Sequence, residues 1–191
     1  MKPDPAGFHG QTGVTLCALA VLVLVSSALA PGTARAEPPP APVQLGFVNP
    51  LQMIDEHRSI TVFRLSLLHV ANRDVQGLDL SLGATRTDGM LRGLQIAGIN
   101  DVNGDCSGVQ VGVFANYCGG HLSGAQLSLA AYAHHGKGVQ IAPVMARADE
   151  LEGLQIGLIT YAKQMKGLQL GLLNFNEHGF LPVFPIFNFG R

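Results

Sequence analysis

The chain has 191 residues, a formal net charge of −1 and only 13% charged residues. That excludes a nucleic-acid binder working through basic charge, and an acidic disordered tail. The length suits one domain with a real core, and the 24 glycines call for an explanation.

Residues 1–36 read as a secretory signal peptide. Lys2 opens it, an uncharged apolar run spans Val14 to Ala30, and Ala34-Arg35-Ala36 forms a small-x-small site. Cleavage before Glu37 fits this pattern. Cys17 lies inside the apolar run behind Leu16, not at its end behind a small residue, so it is not read as a lipid attachment point. Removing 1–36 takes away Lys2, Arg35 and Asp4, and leaves 10 basic against 12 acidic residues. Export into an oxidising compartment follows, which bears on Cys106 and Cys118. Residues 37–42 (EPPPAP) form a Pro-rich, extended lead.

From residue 43 to the end the chain reads as a single β repeat domain. Nine copies of one seven-residue pattern start at 42, 62, 77, 93, 108, 124, 138, 153 and 167. The clearest are GLQIAGI at 93, GVQVGVF at 108, GLQIGLI at 153 and GLQLGLL at 167. Column one is Gly in seven copies, with Pro42 and Val62 as exceptions. Column two is apolar. Column three is Gln in seven, with Arg64 and Asp79 in the other two. Column four is always aliphatic, from Leu45 to Leu170, and column five is always Gly, Ala or Ser. Two residues before most starts stands another apolar side chain: Ile60, Val75, Leu91, Cys106, Leu122, Leu151 and Met165.

Strict alternation argues for strand. One face of each strand is aliphatic, and the other carries Gln and a tiny residue. A strand of this kind buries its aliphatic face only by joining others. Identical strands repeating once per unit suit parallel stacking, so the expected fold is an all-β, flattened parallel β-solenoid with coils of about 15 residues. Its core is expected to be a thin aliphatic slab. The Gln side chains are expected to form a hydrogen-bonded ladder on the opposite face, and Gly to turn the corner with positive φ. The alternative is a small antiparallel outer-membrane β-barrel, since alternating segments between turns also mark such barrels. Segments of seven residues, no Trp and Pro143 weigh against it.

The chain resembles a group of largely uncharacterised bacterial surface-repeat proteins with a signal peptide and tandem G-h-Q-h-G-h-h-N units. The resemblance rests on Pro42-Val43-Gln44-Leu45 with Asn49-Pro50-Leu51-Gln52, on Phe63 to Leu67 leading into Gly77 to Leu80, and on the closing Leu181 to Phe189. It implies an envelope or surface location and supplies no catalytic residues.

Arg64 and Asp79 are neighbours in a stacked column three and are expected to form a surface ion pair. Asp101-Val102-Asn103-Gly104-Asp105 matches the front half of a calcium loop. It lacks the Gly and the final Glu, so it reads as an inter-repeat turn. Cys106 and Cys118 either pair as a disulfide or leave Cys106 as a buried core residue. Cys118 falls in a stretch, 116–120, that reads as a turn. His134-His135, with His121 upstream, is the most suggestive metal pair, but no carboxylate or cysteine sits beside it at ligand spacing, so a solvated turn is expected. Residues 176–191 are expected to cap the last coil, with Val183 to Phe189 covering its edge.

Together these observations give an expectation of a non-enzymatic exported protein of the cell envelope or surface, periplasmic or secreted in the alternative. It is expected to act as a structural or binding module toward an envelope component or extracellular ligand. No catalytic residue, metal or cofactor is assigned. Self-association is expected through the Gln and small-residue face, so Leu at Gly157 and Gly171 should abolish it and spare the monomer. The barrel alternative implies a pore or adhesin anchor.

Overall fold

The computed structural model describes residues 39–49, 51–179 and 181–190. The described residues belong to one compact unit, Glu37–Arg191. The expected signal peptide, and the first two residues of the Pro-rich lead, lie outside the described residues.

The repeat unit is all strand: β1 (Ala41–Val48), β2 (Leu51–Gln52), β3 (Ile60–Asn72), β4 (Val75–Ser81), β5 (Ala84–Thr87), β6 (Leu91–Val102), β7 (Cys106–Leu127), β8 (Ala130–Asn176) and β9 (Val183–Gly190). Apart from the antiparallel β1–β2 pair, every pairing from β1 to β8 is parallel. The result is a parallel β-solenoid of about seven turns with coils of about 15 residues, and not a barrel. β7 and β8 are long because hydrogen bonding continues around the corners.

Each coil has two main legs. In one coil the first leg runs from Leu91 through Ala97, and Leu91, Gly93, Gln95 and Ala97 stack on Cys106, Gly108, Gln110 and Gly112 of the next. The second leg is Ile99 to Val102, stacked on Ala115 to Cys118. Among the described residues seven glycines have positive φ, from 96° to 145°: Gly77, Gly93, Gly108, Gly124, Gly138, Gly153 and Gly167. They are the column-one glycines of seven consecutive copies. A Cβ on Gly108 would lie 2.0 Å from the carbonyl oxygen of Gly93 in the coil before. Conformation and close stacking both demand glycine there.

The interior is where the sequence expectation fails. Gln44, Gln95, Gln110, Gln126, Gln140, Gln155 and Gln169 are buried, as are Ser66, Ala97 and Ala142 of column five. The aliphatic columns two and four point outward, with Leu94 36% and Ile96 37% exposed. A coil of 15 residues encloses little space. Unbranched amides that hydrogen-bond one another along the stack, with tiny residues beside them, fill it, and the ladder's last acceptor, Gln169 Oε1, is left without a partner. The Gln side chains do form the expected ladder, but inside the solenoid. An association surface built from Gln and small residues is therefore ruled out by where those residues face. Leu at Gly157 or Gly171 has no room, because a Cβ there would lie 2.4 or 2.3 Å from a backbone oxygen.

The apolar core lies at the other side of the coil's interior. Ile60, Val75, Leu91, Cys106, Leu122, Leu151 and Met165 are each at most 2% exposed. All of these but Ile60 cluster with Val102, Cys118, Ala133, Ala148 and Ala162 from the second leg. Cys106 and Cys118 are joined as a disulfide within one coil, so Cys106 is both core residue and crosslink. Cys118 lies in β7, in register with Val102 and Ala133, rather than in a turn.

Both ends are closed. β2 pairs antiparallel with β1, and the Gln44 amide exchanges hydrogen bonds with the Ile54 backbone at 2.7 and 3.1 Å. At the other end β9 pairs antiparallel with the last coil, as Phe189 faces Leu168, Asn188 faces Gln169 and Phe187 faces Leu170. Asn188 turns inward while Phe187 and Phe189 turn out, so β9 continues the repeat's alternation.

Candidate interaction surface

The first legs build one continuous outer sheet face. Because Gln and the small residues point inward, columns two, four and six must point outward. None of these 27 positions carries a charge. The most exposed column-six residues are Leu82 at 78%, Val113 at 62% and Leu172 at 61%. Within each column a branched side chain lies against its counterparts in the coils above and below, which accounts for the partial burial of Val111, Ile141 and Ile156. At the N-terminal coils the face hollows into an apolar groove of about 700 Å³ lined by Leu45, Phe47, Leu65, Leu67, Leu80 and Leu82, with Ile96 at its end. Phe187 and Phe189 extend the face at the opposite end, 44% and 40% exposed.

Beneath this face runs the amide ladder. Each Gln Nε2 donates to the Oε1 of the Gln one coil earlier: Gln110 to Gln95 at 3.0 Å, Gln126 to Gln110 at 2.8 Å, Gln140 to Gln126 at 2.9 Å, Gln155 to Gln140 at 2.8 Å and Gln169 to Gln155 at 2.9 Å. The second N–H of several crosses the coil to the opposite leg, as Gln126 does to the Tyr132 carbonyl at 3.3 Å and Gln169 to that of Phe175 at 3.0 Å. The ladder therefore fixes stacking and coil width together. It ends at Asp79, which accepts from Gln95 at 2.8 Å and from the Arg64 Nε at 2.8 Å. Arg64 and Asp79 are fully buried, which corrects the expected surface pair. The remaining Arg64 donors reach Arg86 O, Asn72 Oδ1 and Thr87 Oγ1.

The second legs carry the polar outer face. Tyr117 stacks on Tyr132 at 5.2 Å, and the Arg147 guanidinium lies over the rings of Tyr132 and Tyr161. His134 Nδ1 lies 2.7 Å from Asp149 and Lys163 Nζ 3.1 Å from it. Burial disfavours the Asp149 carboxylate, but hydrogen bonds from Lys163 and His134 outweigh it and hold the carboxyl below its ordinary range. Burial, then the Asp149 charge, raises Tyr132. The hydrogen bond to Glu177, then burial, raises Tyr161. His135 pairs with Glu150 at 3.3 Å and Lys137 with Glu152 at 3.1 Å. These groups run along the stack, each with a partner one coil away, although Arg147 Nε is buried without a hydrogen-bond acceptor.

The three histidines weighed for metal binding come together, with the His134 and His135 ring centroids 4.3 Å apart, but His134 and His135 are engaged in ion pairs along the stack. Asp101 faces outward near Arg86, and burial raises its pKa above the ordinary value. Asp105 Oδ1 accepts from the His121 backbone N–H at 2.8 Å instead. His134 and His135 lie in strand β8 rather than in a turn, and His135 stacks on His121 at 5.2 Å. Among the described residues no group of three or more His, Cys, Asp or Glu side chains is placed to hold a metal ion.

Sequence reasoning missed the outward aliphatic face. A signal was present: column three keeps one residue type while column four exchanges Leu, Ile and Val freely, and a fixed identity marks the tighter environment.

Comparison with known proteins finds no family model, no curated relative and no solved structure that matches the chain.

Proposed function

We propose that this is an exported, non-enzymatic repeat protein of the cell envelope or surface, and that it acts as a structural or binding module. The observation that carries the binding role is the uncharged aliphatic outer face. Contiguous apolar patches of more than a few hundred Å² are uncommon on soluble monomers and mark interaction sites. Export rests on residues 1–36, with the apolar run and the Ala34-Arg35-Ala36 site. The disulfide suits an oxidising compartment. The likeness to bacterial surface-repeat proteins supports the same location. A pore is set aside, because the parallel solenoid has no closed antiparallel sheet.

The test is to produce the full chain in a bacterial host, fractionate the cells and measure the product's mass. The expected product begins at Glu37 and is found in the envelope or medium. A cytoplasmic chain that keeps residues 1–36 would overturn the assignment.

A further inference from the structure

Resting on the reading of the aliphatic face as a binding surface, we propose that its occupant is a second copy of this chain, packed face to face across a two-fold axis.

Size is the first argument. Nine stacked strands at about 4.8 Å and a width of some six residues at about 3.3 Å give a face of roughly 40 by 20 Å, or about 800 Å². A standard stable interface covers about 800 Å² on each partner. The face therefore supplies the area that a dimer needs.

Chemistry is the second. The face is uncharged in every copy, so two such faces meet without burying an unpaired charge. A membrane surface fits less well. Interfacial anchoring relies on a lysine- and arginine-rich border against anionic lipid. Here the whole chain has a net charge of −1, and Lys137 and Lys163 are paired with Glu152 and Asp149.

Shape is the third. Regular β-sheets pack face to face at about 10 Å, their strands within about 30° of each other. In a two-fold arrangement the N-terminal coils of one copy lie over the C-terminal coils of the other. The apolar groove beside Leu65 and Leu80 then lies over the partner's coils that start at 138 and 153. The middle copy of nine, at 108–114, lies on the axis, so Val111 of one chain approaches Val111 of the other.

The experiment uses the processed chain recovered from the host and purified without detergent. Sedimentation equilibrium at micromolar concentration is expected to give twice the chain mass. Val111→Lys and Val111→Glu should each weaken association at least tenfold with unchanged far-UV circular dichroism, because each places like charges across the axis. An equimolar mixture of the two should restore the dimer. A monomeric wild type overturns the proposal. If that monomer floats with phosphatidylglycerol vesicles, the face is a lipid surface and the binding-face reading stands. If it binds neither, both readings fall. A dimer indifferent to Val111 also overturns the proposal, because its interface lies elsewhere.

Discussion

Arg64 and Asp79 are the only two residues that interrupt the Gln column from the third position of copies two and three, and they do so together. The amides of the ladder all point their N–H groups toward the N-terminal coils. Their dipoles add, and the donor end meets the Asp79 carboxylate. A negative charge is favoured there for the same reason as at a helix N-terminus. Arg64 then neutralises that charge with a two-point contact and uses its other donors on the surrounding backbone and side chains. Removing one partner of a buried pair leaves an uncompensated charge, so Arg64→Met should cost about 3–5 kcal/mol. The double change Arg64→Gln with Asp79→Gln extends the amide column by two rungs and should recover most of that loss. Urea unfolding of the two variants checks this. A double variant no more stable than Arg64→Met would mean that the column does not run through these positions.

At the scale of the coil, one glycine sets the geometry of each turn. Gly108 has φ of 130°, and its missing Cβ leaves space for the Gly93 carbonyl. Gly108→Ala combines backbone strain with a collision against main chain, and should lose roughly 3 kcal/mol or more. A wild-type denaturation midpoint in that variant would contradict the stacking. The disulfide between Cys106 and Cys118 ties the two legs of that same coil. Much of this was legible in the sequence. The period gave the coil length, the glycine column gave the corner, and Val183 to Phe189 read as the edge cover that β9 provides. Parallel stacking followed from one identical strand per unit. The choice of inner face was not legible, because alternation defines two faces and says nothing of which is enclosed. Hydrophobicity selected the aliphatic face. The narrow coil instead encloses the residues that satisfy each other's hydrogen bonds. Cys118 and His134 were read as turn residues because 116–120 and 132–138 are rich in Gly and polar types. In a solenoid such stretches continue as strand, since the neighbouring coil supplies their backbone partners.

At the scale of the molecule, the fold separates two kinds of outer surface. The second legs carry charges and rings that pair along the stack. Columns two, four and six of the first legs carry no charge and are mostly aliphatic, with Phe47, Phe63 and Pro143 among them, and they leave apolar area that the chain itself does not cover. A module with an inert charged side and one adhesive side suits assembly more than catalysis. All of this depends on the ladder being inside, which side-chain amide hydrogen exchange tests most directly. In the folded chain, the Nε2 protons of Gln95, Gln110, Gln126, Gln140, Gln155 and Gln169 should exchange far more slowly than those of the partly exposed Gln52 or the exposed Gln164. They should also show contacts from each Gln to the one in the next coil. Six fast-exchanging amides with no such contacts would place the Gln column in solvent and contradict the account.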